Sequence, residues 1–269
     1  MIRSLFSAVS GLRGHQTMLD VTGNNIANVN TASFKSSRVI FSDLYYQTLQ
    51  GASAATANAG GQNPTQIGYG SLVGSIDVVN TRSAYQQTSR ALDVYISGEG
   101  YFAVQKGTET QYTRLGAFTF DSAGNLLDSE GSYVLDINSA PINVPNFNTY
   151  TSISIQANGQ ITGVDAAGQI TNLGDPIGIA VFPNPSGLQQ QGTSHYSETV
   201  NSGTIANLVA PGNANPAAGT LVTGGLEMSN VDLSKEFTDM IIAQRGFQAN
   251  ARVITTSDQV LEELVNLKR

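Results

Sequence analysis

The chain has 269 residues, with no cysteine and no tryptophan, and its formal net charge is −7. Without cysteine it has neither a disulfide framework nor a thiolate metal site. Only 12% of the residues are charged, roughly half the usual fraction, so we expect a largely neutral, polar surface. No Lys or Arg occurs between Arg114 and Lys235, and this acidic middle repels phosphate backbones, which excludes a nucleic-acid partner.

Residues 1–30 predict a helix with an apolar seam. Leucine or isoleucine recurs every seven residues, and a second apolar row lies three positions earlier in the register. The first row is Leu5, Leu12, Leu19 and Ile26, and the second is Ile2 and Val9. A seven-residue apolar repeat is typical of a helix that packs along another helix.

Residues 31–71 are predicted to be a linker or extended segment. A run of small residues, 51–63, offers almost no side chain to pack, which is typical of a flexible loop. Such a loop would let the middle of the chain shift relative to its ends. The sequence Gly68–Gly74 loosely resembles a phosphate-binding loop, but it precedes a predicted strand, whereas a dinucleotide loop follows a strand and opens a helix.

Residues 72–230 are predicted to form a mainly antiparallel β-domain. Short segments rich in apolar and β-branched residues alternate with turn signals, without helical patterns between them. The predicted strands are 72–79, 92–96, 101–105, 117–120, 133–137, 152–155 and 177–182. In Asp121–Gly124 and Asp165–Gly168, Asp opens a type I turn and Gly takes the left-handed position. Asn158-Gly159 predicts a further hairpin turn.

Residues 231–269 predict a second helix with a seam. Its apolar positions are Leu233, Met240, Phe247, Ile254 and Leu261, with Phe237, Ala251 and Val265 four positions later. A continuous helix from Leu233 to Arg269 is about 55 Å long, whereas the middle of the chain is roughly 40 Å across. Part of the seam must then meet something else, unless this is an ordinary amphipathic helix packed on a sheet. The polar cluster 255–258 leaves open whether the helix is continuous.

The sequence shows no catalytic pattern. His15 lies in the N-terminal helix and His195 in a polar loop, without a paired acid or nucleophile pattern. The HExxH, GxSxG and Walker motifs are absent, and the aspartates lack the spacing of calcium loops. We therefore predict a protein that is not an enzyme, that has no cofactor or metal, and that acts by binding through its surfaces.

Four stretches, in order along the chain, resemble those of the bacterial flagellar rod and hook axial proteins. They are Leu19–Lys35, Leu92–Phe102, Tyr112–Gly124 and Leu226–Asp258. The first resembles the family's N-terminal signature, and the second resembles its Gly-x-Gly entry to the β-domain. The signature positions are Asn24, Asn25, Asn28, Thr31, Phe34 and Lys35 in the first stretch, and Gly98 and Gly100 in the second.

The resemblance implies an α+β fold with a discontinuous helical domain, 1–30 with 231–269. In the family the terminal helices form a coiled coil that lines the inner tube of a helical filament, and the β-domain, here 72–230, stacks outside it. Assembly would then depend on Leu5, Val9, Leu12, Leu19, Ile26, Leu233, Phe237, Met240, Phe247, Ile254, Leu261 and Val265. The implied partners are further copies of the chain and the flagellar rod, hook cap and hook–filament junction proteins.

The resemblance also implies export through the flagellar type III apparatus, without a cleaved signal peptide, to the extracellular hook or the basal body. Phe41 and Tyr45 resemble the Phe-x-x-x-hydrophobic element that the export gate reads in this family. The alternative is an ordinary apolar pair on one turn of a helix. No segment reaches the roughly 18 consecutive apolar residues of a membrane helix, so we expect no membrane insertion.

Within the family, the residues from Ser229 to Phe247 favour the hook protein in a short form, the flexible joint that transmits torque from rod to filament. The chain length equals that of a distal rod protein of the basal body, which is the first alternative. A second alternative is a secreted β-domain adhesin whose terminal helices oligomerise it. A filament subunit makes head-to-tail contacts that never close, whereas an adhesin stalk closes as a dimer or trimer.

Overall fold

A computed structural model describes residues 2–55, 60–205, 207–214 and 217–267. The chain divides into two compact units. The helical unit comprises Met1–Asn28, Ser36–Val79 and Val231–Arg269, and the β unit comprises Val29–Lys35 and Asn80–Asn230. The predicted α+β fold class, with terminal helices and a mainly antiparallel β centre, is confirmed.

Two long helices and four strands make up the helical unit. They are α1 (Ile2–Ala27), β1 (Ser37–Asp43), β2 (Tyr46–Gln50), β3 (Thr65–Gly68), β4 (Ser71–Val78) and α2 (Leu233–Asn266). The two helices pack against each other, and α1 also contacts β1 and β4. β1 pairs antiparallel with β4, and β2 pairs antiparallel with β3.

α2 is one continuous helix with a defined start. The Asp232 carboxylate accepts hydrogen bonds from two backbone N–H groups of the first turn, which would otherwise lack partners at a helix end. The helix runs through the polar cluster 255–258 without a break. There the hydroxyls of Thr255 and Thr256 donate to the carbonyl of Arg252 one turn back. Both hydroxyl groups therefore find a hydrogen-bond acceptor within the helix, and the helix continues past them.

The segment 31–71, predicted to be a linker or extended segment, contains β1, β2 and β3. The small-residue run 51–63 joins β2 to β3, and Ser53 and Gln62 exchange backbone hydrogen bonds of 3.0 Å across it. Residues 56–59 of this run lie outside the described residues. The run therefore belongs to one hairpin of the helical unit, whereas the chain passes between the two units at other positions.

The β unit is built from short strands, and every strand pairing in its described residues is antiparallel. In chain order they are β5 (Tyr85–Gln87), β6 (Val94–Ser97), β7 (Tyr101–Lys106), β8 (Glu109–Thr113), β9 (Thr119–Phe120), β10 (Leu126–Leu127), β11 (Tyr133–Val134), β12 (Tyr150–Ile155), β13 (Ile161–Asp165), β14 (Ile170–Asn172), β15 (Ile179–Ala180), β16 (Gln189–Gly192), β17 (His195–Ser197), β18 (Thr220–Thr223) and β19 (Gly225–Glu227). The largest sheet has the order β16-β17-β8-β7-β11-β10-β9, with β15 also paired to β7. The strands β12-β13-β14 form a second sheet, and β18-β6 and β19-β5 are separate pairs.

The turns predicted from the Asp-x-x-Gly and Asn-Gly patterns are confirmed. Gly124, Gly159 and Gly168 have φ of 86°, 82° and 76°, the left-handed conformation that glycine adopts without strain. The N–H groups of Gly124 and Gly168 donate to the carbonyls of Asp121 and Asp165, three residues earlier. These turns close the hairpins β9–β10, β12–β13 and β13–β14.

The apolar core lies within the β unit. Its larger cluster comprises Val94, Ile96, Phe102, Val104, Phe118, Leu126, Val134, Ile142, Val144, Ile155, Ile161, Leu173, Ile177, Ile179 and Leu221. Phe102 and Phe118 meet edge to face, with ring centroids 5.0 Å apart, an arrangement that aromatic pairs prefer. Fully burying one such side chain contributes about 1.5–3 kcal/mol, so this cluster stabilises the β unit internally.

Candidate functional site: helix surfaces and signature residues

The two terminal helices approach closely at glycines. A Cβ atom at Gly11 of α1 would lie 2.8 Å from the side-chain nitrogen of Asn250, and a Cβ atom at Gly246 of α2 would overlap the imidazole of His15. Glycine costs about 1 kcal/mol relative to alanine in a helix. The close approach of the other helix explains why the chain carries glycine at these positions.

The predicted seam residues fall only partly on the contact between the helices. Seven of them are half-buried, namely Leu5, Leu12, Leu19, Ile26, Met240, Ile254 and Leu261. Five are exposed, namely Val9, Leu233, Phe237, Phe247 and Val265. A strict seven-residue row drifts by about 20° per heptad around a straight helix, so it does not stay on one buried face. The buried Ala8 and Ala243 were missed because alanine adds little to an apolar pattern.

α2 carries two exposed apolar stripes, one on each side of its contact with α1. The proximal stripe comprises Leu233, Phe237 and Ile241, and the distal stripe comprises Val253, Val260, Leu264 and Leu267. The distal residues are seven, four and three positions apart, which places them on one face of a helix. Contiguous exposed apolar surface of this kind marks an interaction site.

The signature residue Asn25 connects three elements of the helical unit. Its buried side chain donates from Nδ2 to the carbonyl of Ser37 at 2.8 Å and accepts at Oδ1 from the N–H of Ser37 at 3.0 Å. The same Nδ2 lies 3.2 Å from Oε2 of Glu236 on α2. Burial raises the pKa of the Glu236 carboxyl, and the hydrogen bond from Asn25 partly opposes this shift. Asn25 thus ties α1 to the start of β1 and to α2.

Four other signature residues form local turns after α1. The side chain of Asn28 donates to the carbonyl and to the side-chain oxygen of Asn24, at 2.9 and 3.1 Å. In the β unit, the N–H of Phe34 donates to the carbonyl of Thr31 at 3.3 Å. Ser33, between them, is buried and has a φ of 60°. These contacts terminate the helix and turn the chain before β1.

The signature residue Lys35 belongs to a buried ion cluster in the β unit. Its Nζ donates to Oε1 of Glu227 and, at 2.9 Å, to the carbonyl of Thr81. The Nε of Arg114 lies 3.0 Å from Oε2 of Glu227, an ion pair without hydrogen-bond geometry, and its Nη2 donates to the carbonyl of Gly98 at 2.6 Å. Burial lowers the pKa of Lys35, against the opposing charge of Glu227. One carboxylate therefore faces two buried cations.

The backbone conformation at Gly98 and Gly100 favours glycine. Their φ values are 147° and 125°, which residues with a side chain rarely adopt. A Cβ atom at Gly98 would overlap the Cα of Gly219, and one at Gly100 would overlap a methyl group of Ile179. The two glycines therefore allow the turn between β6 and β7 to pack directly on neighbouring backbone and side chains.

Phe41 and Tyr45, predicted to be read by the export gate, do not lie on a helix. Phe41 belongs to β1, and Tyr45 lies between β1 and β2, so the alternative of an apolar pair on one helical turn is wrong. The ring of Phe41 packs on α1, 2.8 Å from where a Cβ of Gly14 would lie and with its centroid 6.0 Å from that of His15. Tyr45 is 87% exposed. Their recognition during export stays a prediction.

His195 has an acidic partner that its sequence neighbourhood does not reveal. Its Nε2 lies 2.7 Å from Oδ2 of Asp128, and its Nδ1 lies 2.9 Å from the carbonyl of Thr193. Burial lowers the pKa of His195, but the hydrogen bond and charge of Asp128 outweigh it, so the pKa is raised. Burial raises the pKa of Asp128, yet hydrogen bonds from His195 and from backbone N–H groups hold it below its usual value. The two side chains form a buried hydrogen-bonded pair that joins the turn after β10 to β17.

Among residues 2–55, 60–205, 207–214 and 217–267, no group of three or more His, Cys, Asp or Glu side chains is arranged to hold a metal ion. Neither helix has a stretch of the length and apolar character needed to cross a bilayer, again within the described part of the chain.

Comparisons with known proteins overlap all four of the stretches singled out in the sequence. Family models match residues 5–35 (Flagella basal body rod protein), 95–163 (Flagellar hook protein FlgE/F/G D1 domain) and 222–267 (Flagellar basal body rod FlgEFG protein C-terminal). The Flagellar basal-body rod protein FlgG of Bacillus subtilis is 51% identical over 269 residues, covering all of both chains. In Borreliella burgdorferi, the Flagellar basal-body rod protein FlgG is 37% identical over 273 positions and the Flagellar hook protein FlgE 30% over 445 positions, again covering all of both chains.

These matches place the chain in a class of structural proteins of the bacterial flagellum. The chain belongs to the flagellar rod and hook axial protein family, and it is a structural component and not an enzyme.

Proposed function

We propose that this chain is a subunit of the flagellar rod and that it polymerises with further copies of itself along the flagellar axis. The end-to-end match to rod proteins carries this proposal. The chain aligns with the Bacillus subtilis rod protein over 269 residues at 51% identity. Alignment with the hook protein of Borreliella burgdorferi needs 445 positions and falls to 30% identity. A rod protein is therefore better supported than a hook protein. The residues from Ser229 to Phe247, taken alone, favoured the hook protein.

A comparison within one organism strengthens the choice. Both proteins of Borreliella burgdorferi cover this chain completely, but the rod protein is more similar at 37% over 273 positions, against 30% over 445 positions for the hook protein. Because the organism is the same, the difference reflects the type of protein. The hook protein carries long segments that have no counterpart in this chain.

The exposed apolar surface of the helices supports self-assembly. Phe237 in the proximal stripe and Leu264 in the distal stripe are about half exposed, at 51% and 49%. Single molecules in water rarely retain such stripes unless they bind something. Because the stripes lie on two sides of α2, each helix can meet more than one neighbour, which favours an open polymer over a closed adhesin stalk. In this proposal the terminal helices form the coiled-coil inner tube.

The other partners follow from the same proposal. A rod subunit must contact the remaining rod proteins and the hook, and it must pass through the type III export apparatus before it assembles.

Phe41 and Tyr45 are the proposed recognition element for export. Alanine at both positions should stop secretion while the purified protein still folds, and normal secretion of that variant would show that the export gate does not read the pair.

Complementation tests the rod assignment. We would express this chain in Bacillus subtilis strains lacking either the rod protein FlgG or the hook protein FlgE. We expect swimming and complete basal bodies to return only in the first strain. A Leu12→Asp variant should fail, because it places a charge on the half-buried face of α1, whereas Leu12→Met should succeed. Rescue of the strain lacking the hook protein, and not of the other, would contradict the proposal.

A further inference from the structure

The β unit is connected to the rest of the chain through three of its own segments. Residues 29–35 both enter and leave the unit, the chain re-enters it at Asn80, and it leaves for the last time after Asn230. A force that passes along the chain into the β unit therefore acts on these segments. We call residues 29–35, 80–83 and 227–230 the connecting segments.

Glu227 bonds all three connecting segments together. Its backbone carbonyl accepts a hydrogen bond of 2.8 Å from the N–H of Ser33, in the first segment. Its Oε1 accepts from Nζ of Lys35, in the same segment, and from the N–H of Ser83 at 3.1 Å, in the second segment. Because Glu227 itself belongs to the third segment, one residue joins the three.

A second set of hydrogen bonds crosses between the same segments. Asn230 donates from its N–H to the carbonyl of Phe34 at 3.3 Å and from its Nδ2 to Oγ1 of Thr81 at 3.2 Å. The N–H of Met228 donates to the carbonyl of Ala84 at 3.0 Å, directly after the second segment. These bonds are between uncharged groups, and they hold only while the segments stay side by side.

The ion cluster anchors this junction to the largest sheet. Arg114, which follows directly after β8 of that sheet, places its Nε 3.0 Å from Oε2 of Glu227. The side chains of Lys35, Glu227 and Arg114 are only 1–2% exposed. A buried ion cluster often stabilises a fold no more than apolar side chains of the same volume do, because the desolvation of its charges offsets their attraction. What such a cluster can supply is a defined geometry, since each charge requires its partner in place.

We propose that Glu227 is a positioning residue, which fixes the three connecting segments to one another and, through Arg114, to the largest sheet of the β unit. The apolar core folds the β unit, and the ion cluster holds its connecting segments in place. In a rod subunit, torque then enters the sheet through one junction and does not pull on the segments one at a time. This consequence for torque rests on the proposed function, whereas the positioning role does not.

Native-state hydrogen exchange of the monomer tests the positioning role. Lys35→Met removes the cation from the first segment but leaves Glu227 with its arginine partner, so no buried charge is left unpaired. The N–H groups of Ser33 and Asn230 keep their own acceptors, yet they should exchange faster by about tenfold or more, because a charge-assisted hydrogen bond no longer opposes local opening. The N–H of Leu126, in the apolar core, should change by less than about twofold.

A second variant replaces the whole cluster by apolar side chains of similar size. The triple substitution Lys35→Met, Arg114→Met and Glu227→Leu should also fold, with faster exchange in the connecting segments and an unchanged core. The matched control is Lys106→Met with Glu130→Leu, which makes the same kind of replacement in an exposed ion pair of 2.9 Å. It should leave exchange in the connecting segments as it is in the parent.

Three results would overturn the positioning role. Equal acceleration at Ser33, Asn230 and Leu126 would mean that the cluster stabilises the whole β unit. Unchanged exchange at all three N–H groups would mean that the cluster holds nothing in place. Failure of both the single and the triple variant to fold would mean that the cluster is needed for folding itself.

Swimming under load tests the consequence for torque. In the Bacillus subtilis strain lacking FlgG, Lys35→Met should restore swimming in dilute medium but not in a medium thickened with methylcellulose, where the load is higher. The control Lys106→Met should swim in both. Equal swimming of the two variants in thick medium overturns the role in torque. If the parent chain restores no swimming at all, the proposed function fails, while the exchange result still decides the positioning role.

Discussion

The β unit and the helical unit bury their apolar side chains to very different extents. The β unit has fully buried aromatic rings such as Phe102 and Phe118. In the helical unit, Ala8 and Ala243 are the only buried apolar side chains among the described residues, while Phe6 and Phe237 are exposed. The β unit therefore contains its own stabilising core. The helical unit leaves its largest apolar groups available to neighbouring molecules, and its stability should depend on protein concentration.

The buried ion cluster is where a single change should disturb the β unit most. Glu227→Gln leaves Lys35 and Arg114 without their anion in a site where both are almost completely buried. Removing one member of a buried ion pair typically costs about 3–5 kcal/mol. Urea unfolding followed by tyrosine fluorescence measures the loss.

An exposed ion pair provides the control for Glu227→Gln. Lys106 pairs with Glu130 at 2.9 Å and its side chain is 55% exposed, so Lys106→Gln should cost less than about 1 kcal/mol. If Glu227→Gln and Lys106→Gln lose the same free energy of unfolding, burial of the ion cluster adds nothing to the stability of the β unit.

A matched pair of phenylalanines tests the comparison of the two units directly. Phe102→Ala removes a ring from the core of the β unit and should lower the free energy of unfolding by about 3–5 kcal/mol. Phe237→Ala removes an exposed ring from α2 and should change the stability of the monomer by less than about 0.5 kcal/mol.

The two phenylalanine variants should rank in the opposite order in their effect on polymerisation. Phe237→Ala removes part of an exposed stripe and should raise the concentration needed for polymerisation, as measured by sedimentation of the polymer. If Phe237→Ala destabilises the monomer as much as Phe102→Ala does, the exposed stripe is a folding surface and the contrast between the units is false.

The parts of this fold that sequence predicts are those encoded by neighbouring residues. The helix α2 follows from its apolar rows, and the turn Asp121–Gly124 follows from two residues three positions apart. Strands such as β8 (Glu109–Thr113) and β16 (Gln189–Gly192) were missed because they are mostly polar and alternate poorly. Their pairing partners, and not their own composition, define them.

The site was harder to predict than the fold, because its contacts join distant parts of the chain. Lys35 and Glu227 are 192 residues apart, and no local pattern connects them. The resemblance identified Lys35 as a signature residue without giving its role. Asn25 was identified in the same way, and its pairing with both backbone groups of Ser37 became visible only in the folded chain.

The glycines of the helices test whether the close contact of α1 with α2 is sensitive to volume. Gly246→Ala adds a methyl group that would overlap His15 and should destabilise the helix pair by about 1–3 kcal/mol. Gly23→Ala adds one where nothing lies within 4 Å and should stabilise α1 by about 1 kcal/mol. Thermal unfolding followed by the helix signal in circular dichroism distinguishes the two. Stabilisation by both changes would mean that the helices do not approach at Gly246.

The smallest expected effect is a pH dependence that belongs to the β unit alone. The folded-state pKa of His195 is raised. The stability that its protonated ring contributes is therefore complete below its unfolded pKa of about 6.5 and is lost as the pH rises through the folded-state pKa. The pKa of Asp128 is lowered, so its contribution is present above about pH 3.9 and is lost as the pH falls through the folded value. The charged pair is therefore fully effective between these two limits.

The difference in urea midpoint between the parent and His195→Gln should follow that window. A charged hydrogen bond exceeds a neutral one by about 1 kcal/mol, so the difference should be largest at about pH 5–6 and shrink by that amount as the pH rises past neutrality. Lys106 and Glu130 line the same pocket as His195, so the comparison is made at constant ionic strength to hold their screening fixed. The control is His15→Gln in the helical unit, which should leave this pH dependence intact. A midpoint difference that stays constant across the range would mean that His195 is neutral throughout and that Asp128 holds it by an uncharged hydrogen bond.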